Sequence, residues 1–148
     1  MGGEPIAAFW RNTCLMSAVL AWAAAQLCKL FIELFAHHRL DWHRLTGDGG
    51  MPSGHAATVT ALATAALLRY GATSGAFAVS TVLAIIVMHD AMGVRWQAGK
   101  HARTINELLL ERNDAPPEEM LEELLGHTPL QVAAGALLGA ATAVLYAT

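Results

Sequence analysis

Four apolar segments, each close to the length of a membrane-spanning helix, constrain this chain more than any other feature of its sequence. A helix needs about 20 consecutive, mostly apolar residues to cross the hydrocarbon core of a bilayer. Segments near that length lie at about residues 10–36, 52–70, 74–95 and 128–147. Charged residues make up 14% of the chain, whereas an average soluble domain has about 25%. The sequence therefore predicts an all-α integral membrane bundle of about four transmembrane helices.

Two polar stretches and one tight turn separate the apolar segments. Residues 99–126 contain amphipathic and acidic pieces that predict an interfacial helical segment along the membrane surface. Residues 71–75 predict a turn that joins the second and third helices into a hairpin. We expect a single membrane-embedded domain over residues 1–148. The formal net charge of −3 gives no reason to expect a nucleic-acid partner.

The order of the four passes gathers their polar ends on one side of the membrane, which we call the site face. The first and third helices end there, and the second and fourth begin there. By the positive-inside rule, the excess of lysine and arginine near this side predicts that it faces the cytoplasm. These cations are Lys29, Arg39, Arg44, Arg95, Lys100, Arg103 and Arg112.

The second helix is predicted to begin within Met51-Pro52-Ser53-Gly54-His55. Proline suits the first turn of a helix, and the N–H groups of that turn lie at the positive end of the helix dipole. Such a helix start is suited to bind an anion, because Gly54 allows close approach and Ser53 adds a hydroxyl. The alternative interpretation is that Ser53 only caps the helix and His55 only extends toward the interface.

The fourth helix is predicted to begin after Gly126-His127, at Thr128 or the proline that follows it. Thr128 and Gln131 have the spacing of a capping box, which is one explanation for Gln131. Gln131 also lies four residues after His127, where its side chain could hold one imidazole nitrogen and turn the other toward a substrate. Gly135 and Gly139 form a face of small residues on which another helix can pack closely.

Other polar residues near the site face each allow two interpretations. Lys29, in the last third of the first helix, either binds a ligand at membrane depth or extends to the interface. His101 and Asn106 either help to line the site or lie exposed in the polar segment. The loop histidines are expected to be solvated, and no metal site is predicted because no Asp, Glu or Cys group stands at ligand spacing. These loop histidines are His37, His38 and His43.

Four blocks of the sequence carry a resemblance to a known family. They are Ala25-Gln26-x2-Lys29, Gly49 to Val59, Ile86 to Arg95, and Leu125 to Pro129. In this order they resemble the divergent PAP2 family, small bacterial and plant-type membrane proteins related to acid phosphatases and vanadium-dependent haloperoxidases. Pro52-Ser53-Gly54-His55 matches the second signature of the wider type 2 phosphatidic acid phosphatase superfamily. The stretch from His127 to Gly139 is similar to its third signature.

The resemblance implies a metal-independent membrane phosphatase that uses no cofactor. His127 would be the nucleophile that takes up a phosphoryl group, and His55 would be the acid that protonates the leaving oxygen. Ser53 and Gly54 would bind phosphate oxygens, and Lys29 would neutralise phosphate charge. Phosphoryl transfer depends largely on positioning and charge neutralisation, so this set of residues is chemically sufficient.

Two arginines of the superfamily pattern are missing from this chain. Position 36 is alanine, and the arginine-proline pair of the first signature is absent. Leu121 stands where the third signature has an arginine. Arg95, at the end of the third helix, could replace that arginine, because a guanidinium binds phosphate through two parallel hydrogen bonds.

One acidic residue of the pattern is also replaced, because Gln131 stands where the superfamily has aspartate. A neutral amide can orient His127 but cannot stabilise its imidazolium. Asp90 either supplies that carboxylate or forms an ion pair with Arg95 or Lys29.

The sequence thus predicts an enzyme that hydrolyses a lipid or isoprenoid phosphate or diphosphate through a phosphohistidine. The alternative, favoured by Gln131 and the missing arginine, is a non-catalytic membrane protein that binds or transports a phosphorylated lipid. We expect membrane lipid as a partner and the bacterial inner membrane as the location. A homo-oligomer is also expected, because so few short helices enclose a pocket poorly.

Overall fold

The structure, a computed structural model, describes residues 8–37, 50–112, 120, 121, 123 and 125–148. All of the long elements in these residues are helices, which confirms the all-α prediction. The helices are α1 Thr13–His37, α2 Gly54–Tyr70, α3 Gly75–Met92, α4 Val94–Arg112 and α5 Pro129–Ala147.

Three helical stretches in the described residues are long and apolar enough to cross a membrane. They are Thr13–Phe35, Gly75–Glu111 and Pro129–Ala147. The fourth predicted span corresponds to α2, which has 17 residues and is therefore about 26 Å long. The protein is an integral membrane helical bundle, as predicted. The stretch Gly75–Glu111 includes both α3 and α4, and α3 alone has 18 residues.

Helix α2 is the centre of the bundle and packs against α1, α3 and α5. Its contact faces consist mostly of alanine, with Ala57, Ala61 and Ala65 completely buried. On α5, a Cβ at Gly135 would overlap the carbonyl oxygen of Ser53, and a Cβ at Gly139 would overlap that of Ala57. These two glycines therefore let α5 lie directly on the α2 backbone, which is the close packing that the sequence predicted.

The outer faces of the bundle are apolar. Large side chains such as Val79 and Ile85 of α3, Leu137 and Leu145 of α5, and Phe35 of α1 are mostly exposed. In a membrane this surface contacts lipid tails rather than water. Close packing of small residues inside and bulky apolar residues outside is the arrangement expected for helices that associate in lipid.

A break between two helices lies near the C-terminal end of the third predicted span, 74–95. Helix α3 ends at Met92, and α4 begins at Val94 and extends to Arg112, so α4 starts before the predicted beginning of the polar segment at residue 99. Gly93 separates the two helices, and its N–H donates to the carbonyl oxygens of His89 and Asp90. Part of the predicted interfacial segment, residues 113–119, 122 and 124, lies outside the described residues.

Between α4 and His127, the residues that the structure describes run back along the side of α4 toward the bundle. Asn106 of α4 is 3% exposed, and its side chain binds both backbone groups of Leu121 at 2.8 and 2.9 Å. Further along, the carbonyl oxygens of Glu123 and Leu125 lie against Gly99. The described residues of this stretch are thus held against the side of α4, and this return path leads to His127.

Candidate functional site

The helix ends that the topology places on the site face meet in the structure. The backbone N–H of His127, just before α5, donates to the carbonyl oxygen of Ala91 near the end of α3 at 2.9 Å. The alkyl chain of Lys29 on α1 lies against Gly50, just before α2. The sequence order of the four passes therefore predicted correctly which ends come together.

The imidazole rings of His55 and His127 are in contact at the centre of this group. Their centroids lie 5.8 Å apart, with an angle of 66° between the ring planes. His127 is 1% exposed, whereas His55 is only partly buried. A ligand would reach His127 only if a neighbouring side chain moved aside.

Ser53 is the N-cap of α2 and is completely buried. Its Oγ accepts a hydrogen bond from the N–H of Ala56 at 3.3 Å, so the capping interpretation is confirmed. Its own backbone N–H donates to the carbonyl oxygen of Gln131 at 3.0 Å. The expectation that this N–H is available to an anion was therefore wrong, because α5 packs close enough to use it.

The next two residues form the remaining part of the α2 start. Gly54 and His55 occupy the first helical positions, whose N–H groups have no acceptor within their own helix. The Ser53 hydroxyl accepts from the backbone through its oxygen and can still donate its proton. The anion-binding capacity of this helix start thus rests on Gly54, His55 and the Ser53 hydroxyl.

Gln131 forms the capping box that its spacing predicted. Its Oε1 accepts from the backbone N–H of Thr128 at 2.9 Å, and the Thr128 Oγ1 accepts from the N–H of Gln131 at 3.3 Å. The amide oxygen is therefore used in fixing the first turn of α5. This turn follows His127 directly, so the box helps to set where the imidazole lies.

Lys29 is 9% exposed, which is unusual for a lysine. It is therefore enclosed near the α2 start rather than extended into water. Helix α1 continues to His37, about 12 Å beyond Lys29 along the helix axis. The Lys29 side chain is thus enclosed against Gly50, just before α2.

Two other α1 side chains, Trp22 and Gln26, lie near the start of α2. Neither was assigned a role from the sequence. The Gln26 Nε2 and the Trp22 Cδ1 both lie 3.7 Å from where a Cβ on Gly54 would be. Together with Lys29 they follow the i, i+4, i+7 spacing of one helix face. That spacing, within and just before the Ala25-Gln26-x2-Lys29 block, was the signal that could have identified them.

Asp90 and Arg95 form an ion pair across the α3–α4 break. The Arg95 Nε donates to the Asp90 Oδ2 at 2.9 Å, and both side chains are 42% exposed. Of the two interpretations of Asp90, the pairing with Arg95 is therefore observed. A guanidinium carries five N–H donors, so the same side chain can pair with Asp90 and also contact a phosphate.

The remaining predicted residues lie away from the histidine pair or outside the described chain. His101 is exposed on α4, and Asn106 is buried against Leu121 instead of lining the pair. Within the described ranges, no group of three His, Cys, Asp or Glu side chains is close enough to hold a metal ion. His38 and His43 lie outside those ranges.

The chain is similar to known proteins over most of its length. A sequence model of the divergent PAP2 family matches residues 10–142. The chain is 42% identical over 141 residues to the uncharacterized membrane protein YuiD of Bacillus subtilis strain 168, and the match covers 86% of this chain and 89% of that protein. No solved structure matches the chain.

Proposed function

The chain belongs to the divergent PAP2 family, and from this membership we propose that it is a metal-independent membrane phosphatase. Its substrate would be a lipid or isoprenoid phosphate or diphosphate. The observation that carries the proposal is the contact between the His55 and His127 rings. Lys29, enclosed against Gly50 just before α2, supports it. Two imidazoles and a buried cation at a helix start can supply a nucleophile, an acid and charge neutralisation together.

In the proposed first step, a nitrogen of His127 attacks phosphorus and forms a P–N bond. The bond from phosphorus to the leaving oxygen breaks, its electron pair stays on that oxygen, and protonated His55 donates a proton there. In the second step, neutral His55 accepts a proton from water as the water oxygen attacks phosphorus. The P–N bond breaks, and inorganic phosphate and neutral His127 are released.

The groups that would hold the phosphate oxygens are all hydrogen-bond donors. The first-turn N–H groups of Gly54 and His55 lie at the positive end of the α2 dipole. The Ser53 hydroxyl and the Lys29 ammonium would bind the same group, and Arg95 would add a donor from the α3–α4 break. Positioned donors stabilise the charge that develops on phosphate oxygens during transfer.

A second candidate is a membrane protein that binds or transports a phosphorylated lipid without hydrolysing it. It is favoured by two observations, the 1% exposure of His127 and the use of the Gln131 amide oxygen in the capping box. A buried imidazole is hard for a substrate to reach, and a neutral amide does not stabilise an imidazolium as a carboxylate does. The same donors would still bind the phosphate.

The deciding experiment measures phosphate release by the purified full-length protein from a panel of lipid phosphates and isoprenoid diphosphates. The proposal expects that His127→Asn and His55→Asn each lower kcat by about 100-fold or more. His101→Asn, which changes an exposed histidine on α4, is the matched control and should keep kcat unchanged. Melting temperatures of all variants show whether a loss of activity reflects unfolding.

Binding of the same lipids separates the two candidates. If the wild-type protein binds lipid phosphates but releases no phosphate above the His127→Asn variant, the hydrolase proposal fails and the binding protein is favoured. If release is detected but neither histidine variant alters it, the phosphohistidine mechanism fails. The panel also identifies whether monoester or diphosphate is used.

The location and assembly belong to the same proposal. We place the protein in the bacterial inner membrane with the site face toward the cytoplasm, because cations concentrate near that face. A reporter fused to either terminus should be accessible only from outside the cytoplasm. A homo-oligomer is also proposed, because so few short helices enclose a pocket poorly, and chemical cross-linking in native membranes tests it.

A further inference from the structure

Gln26 is a polar side chain of α1 that lies next to the start of α2, and the proposed mechanism does not use it. Its Nε2 lies 3.7 Å from the position of a Cβ on Gly54, beside the proposed phosphate site. Its Oε1 is buried and accepts no hydrogen bond from any part of the chain that the structure describes. Burying an acceptor without a donor is costly, so a ligand that brings a donor to this point would bind more favourably.

The depth of Gln26 indicates which part of a lipid would reach it. Helix α1 runs toward the site face, so Gln26 lies about 4.5 Å deeper in the membrane than Lys29, and Trp22 lies about 6 Å deeper again. Trp22 is 50% exposed and therefore faces lipid. The order along α1 is a cation, a neutral hydrogen-bonding group and an apolar ring, which matches the phosphate, linker and hydrocarbon of an amphiphile.

The chemistry of the neighbouring groups identifies the donor that Gln26 requires. The α2 first-turn N–H groups, the Ser53 hydroxyl and the Lys29 ammonium are all donors for phosphate. A phosphate monoester is mostly dianionic at pH 7, because its second pKa is about 6, so it carries few protons to donate. The donor for the Gln26 oxygen must therefore come from the part of the lipid next to the phosphate.

We propose that Gln26 selects lipid phosphates that carry a hydroxyl within two carbons of the phosphate ester. The Gln26 Oε1 accepts a hydrogen bond from that hydroxyl while Lys29 and the α2 start hold the phosphate. Isoprenoid phosphates have a hydrocarbon linker without such a donor and are disfavoured. The inference rests on the proposed function in that it uses the same phosphate site, but it concerns recognition and does not require hydrolysis.

The test compares two lipids that differ by one oxygen atom, 1-oleoyl-glycerol 3-phosphate and its 2-deoxy analogue. Dissociation constants are obtained for the full-length protein from the rise in melting temperature with each lipid, and kcat/KM is obtained from phosphate release. Wild-type protein is expected to prefer the hydroxyl-bearing lipid by about fivefold to tenfold. Gln26→Met, which keeps the side-chain length without hydrogen-bonding groups, should bind both lipids equally.

The matched control is Gln97→Met, the same change at an exposed position on α4, which should keep the full preference. If Gln26→Met does not fold, Gln26→Asn decides, because its shortened amide cannot reach the same hydroxyl and should also lose the preference. Equal affinity of the wild type for both lipids, binding of neither, or an unchanged preference in the folded Gln26 variant overturns the inference. Binding with the expected preference but without phosphate release would overturn only the phosphatase proposal.

Discussion

Gly139 of α5 lies directly on the backbone of Ala57 in α2, so closely that a Cβ at position 139 would overlap the Ala57 carbonyl oxygen. One turn earlier, Gly135 has the same relationship to Ser53, which is the N-cap of α2. The two glycines therefore bring the start of α5 against the start of α2. His127 and His55 lie at these two helix starts, so the backbone contact sets the separation of the imidazoles.

Replacing Gly139 with alanine should destabilise the bundle, because backbone atoms on the facing helix cannot rotate away from the added methyl group. Overpacking of this kind costs about 1 to 3 kcal/mol. The matched control is Gly75→Ala at the start of α3, where an added Cβ meets nothing within 4 Å. Thermal unfolding in detergent should show a clear loss for Gly139→Ala and none for Gly75→Ala. Equal stability of the two variants would contradict the close α2–α5 packing.

The backbone at Gly126 fixes the approach of the chain to His127. Gly126 has a φ of 84°, and a Cβ there would overlap the backbone of Trp96. Gly71 has a similar φ of 80° but nothing within 4 Å. With a ψ of 164°, Gly71 has a backbone conformation that essentially only glycine adopts, so Gly71→Ala should lose about 1 to 3 kcal/mol. Gly126→Ala, which adds the overlap with the Trp96 backbone, should lose more.

Gly126→Ala should also displace His127, because the residue next to it must move away from α4. We therefore expect lipid phosphate binding or hydrolysis to fall in Gly126→Ala and to stay at the wild-type level in folded Gly71→Ala. Melting temperatures and lipid titrations of both variants test this. If both variants lose the same free energy of unfolding, the close approach of Gly126 to Trp96 does not contribute to stability.

Local features of the fold were predictable because they depend on residues close in sequence. Ser53 and the Thr128–Gln131 pair cap their helices as the spacing predicted. The helix ends also gather as the pass order required. By contrast, the contact between His55 and His127 depends on how two helices are rotated about their axes, and a single sequence does not specify that rotation.

The return of the chain along α4 could not be predicted for a related reason. It depends on hydrogen bonds between Asn106 and Leu121, which are distant in sequence, and on the absence of a side chain at Gly99. The sequence shows Asn106 only as a polar residue on an amphipathic helix, for which exposure is the ordinary expectation. Likewise, the end of α3 at Met92 follows from Gly93, whose effect within an apolar segment depends on packing.

Asn106 should be among the polar residues whose loss most weakens the polar segment. Asn106→Leu removes both hydrogen bonds to the backbone of Leu121, and each contributes about 0.5 to 1.5 kcal/mol. The control is His101→Leu on the same helix, where the side chain is exposed and the change should stay within about 0.5 kcal/mol. Limited proteolysis should cleave Asn106→Leu faster between α4 and α5. Unchanged cleavage would show that Asn106 does not hold this segment.

A substitution of Asp90 tests whether its carboxylate stabilises His127 in place of the aspartate that Gln131 replaces. Because Asp90 is paired with Arg95 and both side chains are 42% exposed, Asp90→Asn should change the free energy of unfolding by about 1 kcal/mol or less. It should also leave kcat within about threefold of the wild-type value, because Asp90 pairs with Arg95 and is not expected to orient His127. A carboxylate that did orient a catalytic histidine would contribute about 10⁴-fold.

Phosphate release and thermal unfolding of Asp90→Asn give both values, with Glu107→Gln, from the exposed Arg103 pair, as the matched control. The contrary outcome is a folded Asp90→Asn variant whose turnover falls by about 100-fold or more while that of Glu107→Gln is unchanged. If lipid phosphate binding by Asp90→Asn stays at the wild-type level, such a loss would assign the missing acid of the superfamily pattern to Asp90 and leave Gln131 only its capping role, because a displaced Arg95 would weaken phosphate binding as well as turnover.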